Sequence, residues 1–494
     1  GEFALGLFYE KALENPRNWV ALQASLDEVA MVGVPGITAV GRNIAVAVNL
    51  VNGVAANSSA NTQVIDFNAK SLDVATGYDT TATLDMAGSQ GQLIRASGTF
   101  ELNLGDFVYV NGTLGFEKSA ATVTLANGSD VLVDSLTVGG SKLNAFVGVG
   151  GAYHVDSNRD GVINGTDTPN ASARGFVLTN AEFALALLSA QDVTVQSTDS
   201  AALQQLKQNT LNLGSLGWMG LEVSADQVGF VGGDALTIQA KNLLVEANQV
   251  FGTSGAQDAS QLVVDFAAKS MNVLTGTGTT RTLDVDGDKG PLIRATGSVE
   301  IAVGDFFYLT GDLGFEKSTR DLVLEDGRTV SHDVMTVGGS NLQAFAGING
   351  GPLVDTNEDG TIDEQDLPGL DAVGFSLSGV DFALVVASER EVVRSAFQDA
   401  VDWCDVAVSD TLQVAVATGT GDSTKAGIYL STDNGKTWTH STAPTGLAYS
   451  SVTVSADGQT IVASVRDGGI VRSTDAGETW ITTGAVTDRY TDVA

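Results

Sequence analysis

Two twelve-residue segments, 156–167 and 355–366, carry oxygen-bearing side chains at matching positions. Both have Asp or Asn at positions one, three, five, nine and twelve, glycine at six and isoleucine at eight. A hard cation such as Ca²⁺ takes six to eight oxygens at about 2.3–2.6 Å, and a short loop can supply them from alternate residues. Gly161 and Gly360 permit the sharp turn that such a loop needs. The predicted ligands of two calcium sites are Asp156, Asn158, Asp160, the carbonyl of Val162, Asn164 and Asp167, and Asp355, Asn357, Asp359, the carbonyl of Thr361, Asp363 and Asp366.

The ligand spacing is that of an EF-hand loop, although two features differ from calcium sensors. Asp167 and Asp366 stand where sensors have a longer Glu, and the preceding residues (AYHV and GPLV) read as extended rather than helical. A fixed structural ion is therefore favoured over a switch. The loops resemble those of dockerins and other extracellular calcium modules. Dockerins hold two loops close together, whereas these lie 199 positions apart, so cohesin binding is not expected. Alternatively, Asp, Asn and Gly mark surface turns, but turns do not require oxygens at five fixed places twice.

The remaining reactive residue types are sparse. His154, His332 and His440 share no common spacing, and His154 is expected to pack against the first loop rather than bind zinc. Cys404 lies in an apolar segment (DWCDVAV), which predicts a buried structural thiol. The chain has no P-loop, no dinucleotide-binding fingerprint after a strand, no HExxH and no G-x-S-x-G. The sequence therefore predicts no enzyme activity.

Charge and composition exclude several partner classes. The 494 residues carry a formal net charge of -34, which argues against binding to nucleic acid and to anionic membranes. No apolar run reaches the roughly eighteen residues of a transmembrane helix. A single cysteine excludes an intrachain disulfide framework. These features fit a protein that works outside the cell, where calcium is abundant. Alternatively, the negative charge could serve only to keep the protein soluble.

A repeat of 199 residues covers most of the chain. Trp19 and Trp218 open matching stretches, NWVALQASLDEVAMVG and GWMGLEVSADQVGFVG. The same offset relates LIRA at 93–96 and 292–295, LGFEKS at 114–119 and 313–318, and TVGGS at 137–141 and 336–340. Residues 2–5 (EFAL) also match residues 182–185, which predicts that an earlier repeat precedes residue 1, unless residues 1–3 are a cloning remnant.

Within each repeat, apolar residues alternate with polar ones between Gly, Asn and Asp, which predicts strands. In residues 99–116 we expect a break at Gly105-Asp106 and a hairpin turn at Asn111-Gly112, with Thr310-Gly311 as the second-copy turn. Helices are expected only at 199–209, opened by an acidic cap, and at 389–401. The predicted fold class is all-β, with two tandem elongated meander-like, solenoid-like or sandwich modules before a partial β-propeller.

The expected divisions follow the repeat. Residues 1–18 end a preceding repeat, 19–190 and 218–389 are β modules that each hold a calcium loop, 191–217 and 390–401 are helical linkers, and 402–494 form propeller blades.

The C-terminal segment has a shorter period of 42 residues. Its motif, S-x-D-x-G-x-T-W, resembles the Asp-box of sialidase-like β-propellers, in which it braces a turn away from the catalytic face. Strands are expected at 404–408, 412–418, 451–454 and 460–465, and residues 490–494 read as the start of a third blade, so the natural protein is expected to continue. No arginine triad accompanies the motif, so sialidase activity is not expected. The structural Asp-box residues are Ser431, Asp433, Gly435, Thr437, Trp438, Ser473, Asp475, Gly477, Thr479 and Trp480.

The chain as a whole resembles the repeat regions of giant secreted bacterial proteins of the RTX and adhesin kind. This resemblance implies a secreted or cell-surface structural or adhesive protein, such as a fibre, sheath or surface-layer component, stabilised by two Ca²⁺. Its partners would be neighbouring repeats or copies of itself, and a glycan or surface protein. The alternatives are an accessory region of a secreted polysaccharide-active enzyme and a propeller that binds a protein or glycan.

Overall fold

The computed structural model describes residues 1–11, 16–53, 63–105, 107–159, 167–213, 216–233, 235–252, 262–304, 306–325, 327–349, 353–354, 367–368, 371–389, 402–409, 413–418, 427–432, 438–466, 468–486 and 488. The chain divides into two compact units, Gly1–Arg390 and Glu391–Ala494. It is all-β, and its described residues contain one α-helix, α1 (Ala201–Leu211).

The first unit consists of long strands and short hairpins. In chain order its strands are β1 (Glu2–Tyr9), β2 (Asn18–Ala30), β3 (Ile37–Asn52), β4 (Leu72–Gly77), β5 (Thr80–Leu84), β6 (Leu93–Leu104), β7 (Val108–Thr124), β8 (Asp130–Val149), β9 (His154–Val155), β10 (Thr168–Pro169), β11 (Arg174–Ala190), β12 (Gly217–Val231), β13 (Leu236–Phe251), β14 (Met271–Gly276), β15 (Thr279–Leu283), β16 (Leu292–Val303), β17 (Phe307–Val323), β18 (Thr329–Ile348), β19 (Leu353–Val354), β20 (Leu367–Pro368) and β21 (Val373–Glu389).

Thirteen of these strands form one antiparallel sheet whose spatial order follows the chain. The order is β1-β2-β3-β6-β7-β8-β11-β12-β13-β16-β17-β18-β21. Neighbouring strands can pair in this way because each connection returns the chain beside the strand it has just left. The sheet does not stop at the sequence repeat, since β11 of the first repeat pairs with β12 of the second. The two repeats therefore share one sheet.

A row of β-bulges crosses the long strands near their middles. The strand register shifts between Arg42 and Ala45, between Asn111 and Thr113, and between Leu178 and Ala181. Several residues at these shifts have positive φ angles, including Asn43 and Lys142. A bulge adds a residue to one strand and bends it locally. Because these shifts lie on laterally adjacent strands, the bends line up across the sheet.

The expected hairpin turns at Asn111-Gly112 and Thr310-Gly311 are wrong. Both dipeptides lie inside continuous strands, β7 and β17, at bulges. Gly112 has φ +148° and Gly311 has φ +141°, a region that side chains rarely adopt. The two glycines therefore supply the backbone conformation that the bulges need. The break expected at Gly105 is confirmed, because β6 ends at Leu104 and β7 starts at Val108.

Two hairpins lie on a face of the large sheet instead of extending its edge. In the second repeat, β14 contacts β7, β8 and β11, and β15 contacts β11 and β12. In the first repeat, the matching hairpin of β4 and β5 contacts β1 and β2. Each hairpin therefore covers strand residues that precede its own repeat in the chain, together with the first strand of that repeat. We call the contact of β14–β15 and β12 with β7, β8 and β11 the repeat junction.

The main hydrophobic core lies at the repeat junction. Trp218 and Phe266 are its largest buried side chains, and both belong to the second repeat. They pack with small and branched residues of the first repeat, including Val131, Val133 and Ala184. The buried members are Val123, Leu125, Val131, Val133, Ala184, Ala186, Leu188, Leu213, Leu216, Trp218, Leu262, Val264, Phe266, Val273, Leu283, Val285 and Leu292.

Helix α1 confirms the first predicted linker helix, although its cap is Ser200 and not the acidic Asp199. The Ser200 hydroxyl accepts a hydrogen bond from the amide of Leu203 at 3.3 Å. Thr210 fastens the helix to the sheet by accepting from the amide of Leu132 at 2.9 Å. No helix in the described ranges is long and apolar enough to cross a membrane. The helix expected at 389–401 lies outside the described residues, apart from Glu389 at the end of β21.

The second unit contains two antiparallel sheets of four strands each. Asp405 links them, since its carboxylate accepts from the hydroxyl of Ser451 at 2.7 Å and the amide of Val452 at 2.9 Å. Buried Tyr449 and Ile461 lie in the core of this unit. The strands are β22 (Asp402–Val408), β23 (Gln413–Thr418), β24 (Gly427–Ser431) and β25 (Thr439–His440), then β26 (Tyr449–Val454), β27 (Ile461–Val465), β28 (Ile470–Ser473) and β29 (Ile481–Thr482).

Cys404 is exposed, so the expectation of a buried structural thiol is wrong. In β22 the outward positions Cys404, Val406 and Val408 alternate with the half-buried Asp405 and Ala407. Apolar composition alone cannot distinguish the two faces of such a strand.

Candidate functional site

The first predicted calcium loop is closed at its base by a two-residue ladder. Val155 of β9 pairs with Thr168 of β10, and His154 pairs with Pro169. This pairing places Asp156 and Asp167, the first and last loop positions, immediately beyond the same end of the ladder. The structure thus brings together two of the predicted ligands from opposite ends of the loop.

Asp167 is a buried carboxylate that organises the start of the loop. Only 6% of it is exposed. Its Oδ1 accepts hydrogen bonds from the amide of Ser157 at 3.0 Å and from the amide of Asn158 at 3.4 Å. The hydroxyl of Ser157 in turn accepts from the amide of Thr168 at 3.1 Å. These bonds hold the ends of the loop together and account for the burial of an ionisable group.

The other predicted ligands of the first loop, Asp160, Val162 and Asn164, lie outside the described residues. The whole second loop, 355–366, also lies outside them, between β19 and β20. Those two strands pair as β9 and β10 do, with Val354 opposite Leu367. Among the residues that the structure describes, no group of three or more His, Cys, Asp or Glu side chains could hold a metal ion. The described geometry therefore concerns the base of each loop.

His154 packs beside the first loop, as its position in the sequence indicates. Its ring meets that of Tyr153 edge-on at 4.5 Å between centroids. Burial lowers the pKa of His154, while the nearby Asp167 carboxylate acts in the opposite direction. The lowered pKa favours the neutral ring.

The second Asp-box is a fully described turn in which side chains satisfy backbone groups. Asp475 accepts from the amide and the hydroxyl of Thr479 and from the hydroxyl of Ser473. The Ser473 hydroxyl accepts from the amide of Gly477 at 2.8 Å, and the indole of Trp480 donates to the Gly477 carbonyl at 3.0 Å. The hydrogen bonds from Thr479 and Ser473 lower the pKa of Asp475 to about 2. This network braces the turn.

The first Asp-box is described only at its ends. Ser431 is buried at the end of β24, and Trp438 lies just before β25. Asp433, Gly435 and Thr437 lie outside the described residues.

The repeat junction contains residues with specific packing roles that the sequence analysis did not assign. The β14 backbone lies directly on two glycines of the first repeat. A Cβ added at Gly115 would come within 2.3 Å of the carbonyl oxygen of Leu274, and one at Gly139 within 2.6 Å of the same atom. Both positions therefore require glycine. Their signal in the sequence is a glycine within an alternating strand pattern, which often marks a close approach of another backbone.

Arg281 ties the covering hairpin to both repeats. Its guanidinium pairs with Glu182 of β11 at 3.5 Å and with Glu222 of β12 at 2.6 Å. It also donates to the hydroxyl of Ser224 at 2.6 Å. Arg281 is 15% exposed, so this is a partly buried network that crosses the boundary between the sequence repeats.

The duplicated tryptophan and asparagine residues make the same kinds of hydrogen bond in both repeats. The indole of Trp218 donates to the carbonyl of Leu262 at 2.6 Å. The indole of Trp19 donates in the same way to the carbonyl of Gln63 at 2.9 Å. The corresponding bonds from Asn248 and Asn49 to backbone carbonyls are 2.7 and 2.8 Å long. The sequence repeat is therefore a repeat of covering contacts as well as of strands.

Comparison of the chain with protein-family models finds no matching family. Comparison with curated proteins also finds no match.

Proposed function

We propose that the chain is a structural or adhesive component of an extracellular surface, built from β repeats that calcium stabilises. The observation that carries this proposal is the repeat junction. One sheet continues through both repeats, and the hairpin of the second repeat covers the strands of the first. Such nearest-neighbour cover suits an array that grows by adding repeats. Cell-surface or secreted localisation and the resemblance to RTX and adhesin repeats belong to the same proposal.

The finer architecture in the proposal is two tandem modules followed by blades of a β-propeller. Two successive four-stranded antiparallel sheets and the Asp475 turn support the blade interpretation. Propellers combine at least four such sheets around a channel, so a complete ring requires blades beyond these two. A completed propeller that recognises a glycan or a protein remains the second candidate function, because the Asp-box turn itself offers bracing contacts and not a catalytic group.

Calcium is proposed to fix the two acidic loops in place. The pairing of β9 with β10 and of β19 with β20 holds each loop at its base. A net charge of -34 makes the binding of a divalent cation electrostatically favourable. Ion binding between the carboxylates would reduce their mutual repulsion and would order the segment between the two short strands.

A calcium titration of unfolding tests this proposal. Extracellular calcium modules have dissociation constants of roughly 10⁻⁴–10⁻³ M, so 10 mM Ca²⁺ should stabilise the chain by about 2 kcal/mol per occupied site. We expect a higher Tm in Ca²⁺ than in chelator, and less proteolysis near residues 150–170 and 350–370. The variant with Asp156→Ala and Asp355→Ala should lose this response.

The matched control carries Asp27→Ala and Asp321→Ala, which removes the same charge outside the loops. It should retain the full response to Ca²⁺. An equal Tm in Ca²⁺ and in chelator for the unsubstituted chain would overturn the calcium proposal. An equal response to Mg²⁺ would show general charge screening and would also count against dedicated calcium sites.

A further inference from the structure

A groove on the large sheet lies between the two covering hairpins, β4–β5 and β14–β15. Strands β2, β3 and β6 form its floor, Ala82 of β5 lines one side, and Thr277 and Gly278 at the tip of β14–β15 line the other. The hydroxyls of Ser97 and Thr277 are 3.1 Å apart, so the tip is fixed to the floor. We call this space the hairpin groove. Its volume is about 420 Å³, and sites for small ligands have volumes of about 300–1,000 Å³.

In the second repeat, the side chain of Arg281 occupies the equivalent place. Its guanidinium contacts the carboxylates of Glu222 at 2.6 Å and Glu182 at 3.5 Å. It also donates to the hydroxyl of Ser224 at 2.6 Å. Strand β11 continues on the N-terminal side of Glu182 as far as Arg174, and the guanidinium still has this position. A longer strand beside β12 therefore does not fill the place.

Strand register is the same around the two places, so their residues can be matched one to one. The matched cross-strand pairs are Glu2–Ser25 and Glu182–Ser224, Gln23–Ala47 and Glu222–Glu246, and Val74–Ala82 and Val273–Arg281. Ala82 thus stands at the position of Arg281. An arginine side chain is much larger than an alanine methyl group, and this difference leaves space beside β5 in the first repeat.

A second difference widens the groove on the side of β3. Ala47 has the register position of Glu246, the carboxylate that pairs with Arg294 in the second repeat. Arg95, the equivalent of Arg294, pairs instead with Glu117 at 2.7 Å. Glu117 belongs to β7, on the side of β6 that is away from β3. The floor of the groove beside β2 is therefore small and apolar.

The acceptors that hold the arginine in the second repeat have counterparts along the hairpin groove. Glu2 supplies a carboxylate and Ser25 an exposed hydroxyl. Gln23 supplies an amide carbonyl, and two hydrogen bonds with Asp85, at 2.8 and 3.2 Å, fix its side chain. The methyl group of Ala82 offers them no donor. Three oxygen-bearing side chains thus line a space that holds a guanidinium in the second repeat.

We propose that the hairpin groove binds a guanidinium group on a short aliphatic stem. Its donors bond to Glu2, Gln23 and Ser25, and its stem lies against Ala47. A planar fork of donors fits several acceptors at once, whereas an amine provides a point charge. The net charge of -34 also favours a cation. This binding site goes beyond the proposed structural function and does not depend on calcium.

Titration of the full chain with ethylguanidinium, followed by saturation-transfer NMR at constant ionic strength, tests the site. We expect saturable binding. Propylammonium carries the same charge and should bind about tenfold more weakly, because a charge-assisted hydrogen bond is lost. Equal binding of the two cations would indicate general attraction to an acidic chain and would overturn the proposal.

The decisive variant fills the groove with a side chain of the chain itself. Ala82→Arg gives the first repeat the arginine of the second, so it should abolish the binding of ethylguanidinium and raise the Tm. Thr81→Arg is the matched control, because successive strand residues point to opposite faces and the same charge then lies outside the groove. This control should keep the binding. Binding that survives Ala82→Arg would place the ligand elsewhere and would overturn the proposal.

Substitution of the acceptors should change the affinity in both directions. Glu2→Gln should weaken binding about tenfold, and Gln23→Glu, which introduces the carboxylate of the second repeat, should strengthen it about tenfold. Asp79→Asn removes a charge at the tip of the β4–β5 hairpin and should leave the affinity unchanged. Equal affinities for all of these chains would contradict the assigned acceptors.

Opening the second repeat supplies a positive control for the ligand. A chain with both Ala82→Arg and Arg281→Ala should bind ethylguanidinium again, now beside Glu222 and Ser224. The unsubstituted chain should bind it below about 50 mM, well above a millimolar dissociation constant. Failure of the unsubstituted chain to bind would overturn the proposal, and binding by the double variant would then show that the ligand itself is suitable.

A second ligand distinguishes the source of the guanidinium. N-acetyl-L-arginine amide presents the stem as a peptide does. Tighter binding of this compound than of ethylguanidinium would assign the groove to an arginine side chain of a partner, and weaker binding would assign it to a free guanidinium compound. Exclusion of N-acetyl-L-arginine amide together with equal binding of ethylguanidinium and propylammonium would leave no guanidinium site.

Discussion

Arg281 shows how one side chain can hold two repeats together. Its guanidinium reaches Glu182 and Glu222, which lie on strands from different sequence repeats. A planar fork of donors suits this double contact, whereas a lysine provides a single point charge. Arg281 and Glu222 are mostly shielded from water, whereas Glu182 is 43% exposed, so losing the arginine would leave two carboxylates without their shared partner at a partly buried site.

We expect Arg281→Ala to lower the free energy of unfolding by about 2 kcal/mol, because hydrogen bonds to charged groups and partly buried ion pairs are lost. Arg281→Lys should recover less than half of that loss. Denaturant unfolding measures both. Arg320→Ala is the matched control, since its pair with Glu316 is more exposed, and it should cost less than about 0.5 kcal/mol. Equal effects of Arg281→Ala and Arg320→Ala would show that the Arg281 network does not fasten the junction.

A buried ion pair attaches helix α1 to the segment that precedes it. The amine of Lys207 contacts the carboxylate of Asp199 at 2.8 Å, and both side chains are 5% exposed. Lys207 also donates to the carbonyl of Thr194 at 3.1 Å, so the segment before the helix is fixed to its last turns. The hydrogen bond from Lys207, with a second from the Gln196 amide, lowers the pKa of Asp199.

This lowered pKa makes the attachment of α1 sensitive to acid. The carboxylate contributes its full stabilisation above its ordinary pKa of 3.8 and loses it as the pH falls towards the lower pKa of the folded state. Below pH 3.8, unfolding measurements should therefore show a steeper loss of stability for the unsubstituted chain than for Asp199→Asn. Asp79→Asn removes the same charge from an exposed turn and should keep the steep loss. Parallel pH curves for all three chains would contradict the assignment.

Local sequence patterns predict the elements of this fold better than their partners. Strands β22, β23, β26 and β27 follow from alternation, and helix α1 follows from a polar cap before a helical pattern, although the cap is Ser200 and not Asp199. The cover of one repeat by another does not follow from them. Val273 and Leu283 alternate as any half-buried strand does, and nothing local identifies Val131 or Ala184 as their neighbours. Glycine at 115 and 139 indicates a close approach, but it does not identify the arriving backbone.

The predicted calcium loops illustrate the opposite situation. Ligand spacing is a local property, so the sequence alone predicts which residues would be ligands. The structure adds that β9 and β10 hold the ends of the first loop together and that Asp167 is buried there. These facts depend on contacts that close the loop, which ligand spacing does not specify.

For the molecule as a whole, the repeating unit of sequence is not the unit of packing. The core at the repeat junction takes Val131 and Ala184 from the first repeat and Trp218, Phe266 and Leu283 from the second. A boundary drawn at residue 217 would divide this core. Stability is therefore shared between neighbours, and each repeat depends on the next one for its cover.

We expect a fragment that ends at residue 216 to expose this apolar face and to aggregate. A fragment that ends at residue 303 keeps the whole core and should remain monomeric, with a cooperative thermal transition. Light scattering and binding of an apolar dye distinguish the two. Comparable solubility and comparable dye binding by both fragments would show that the first repeat does not need the second as its cover.

The row of bulges has a mechanical consequence. Each bulge bends its own strand, and because the bends occupy adjacent strands they form a crease that runs along the direction in which strands are added. A folded layer has a higher bending stiffness along its fold than a flat layer of the same thickness. The same geometry would make a single sheet covered by small hairpins stiff along the direction in which strands are added. Further repeats would lengthen the crease without making the sheet thicker.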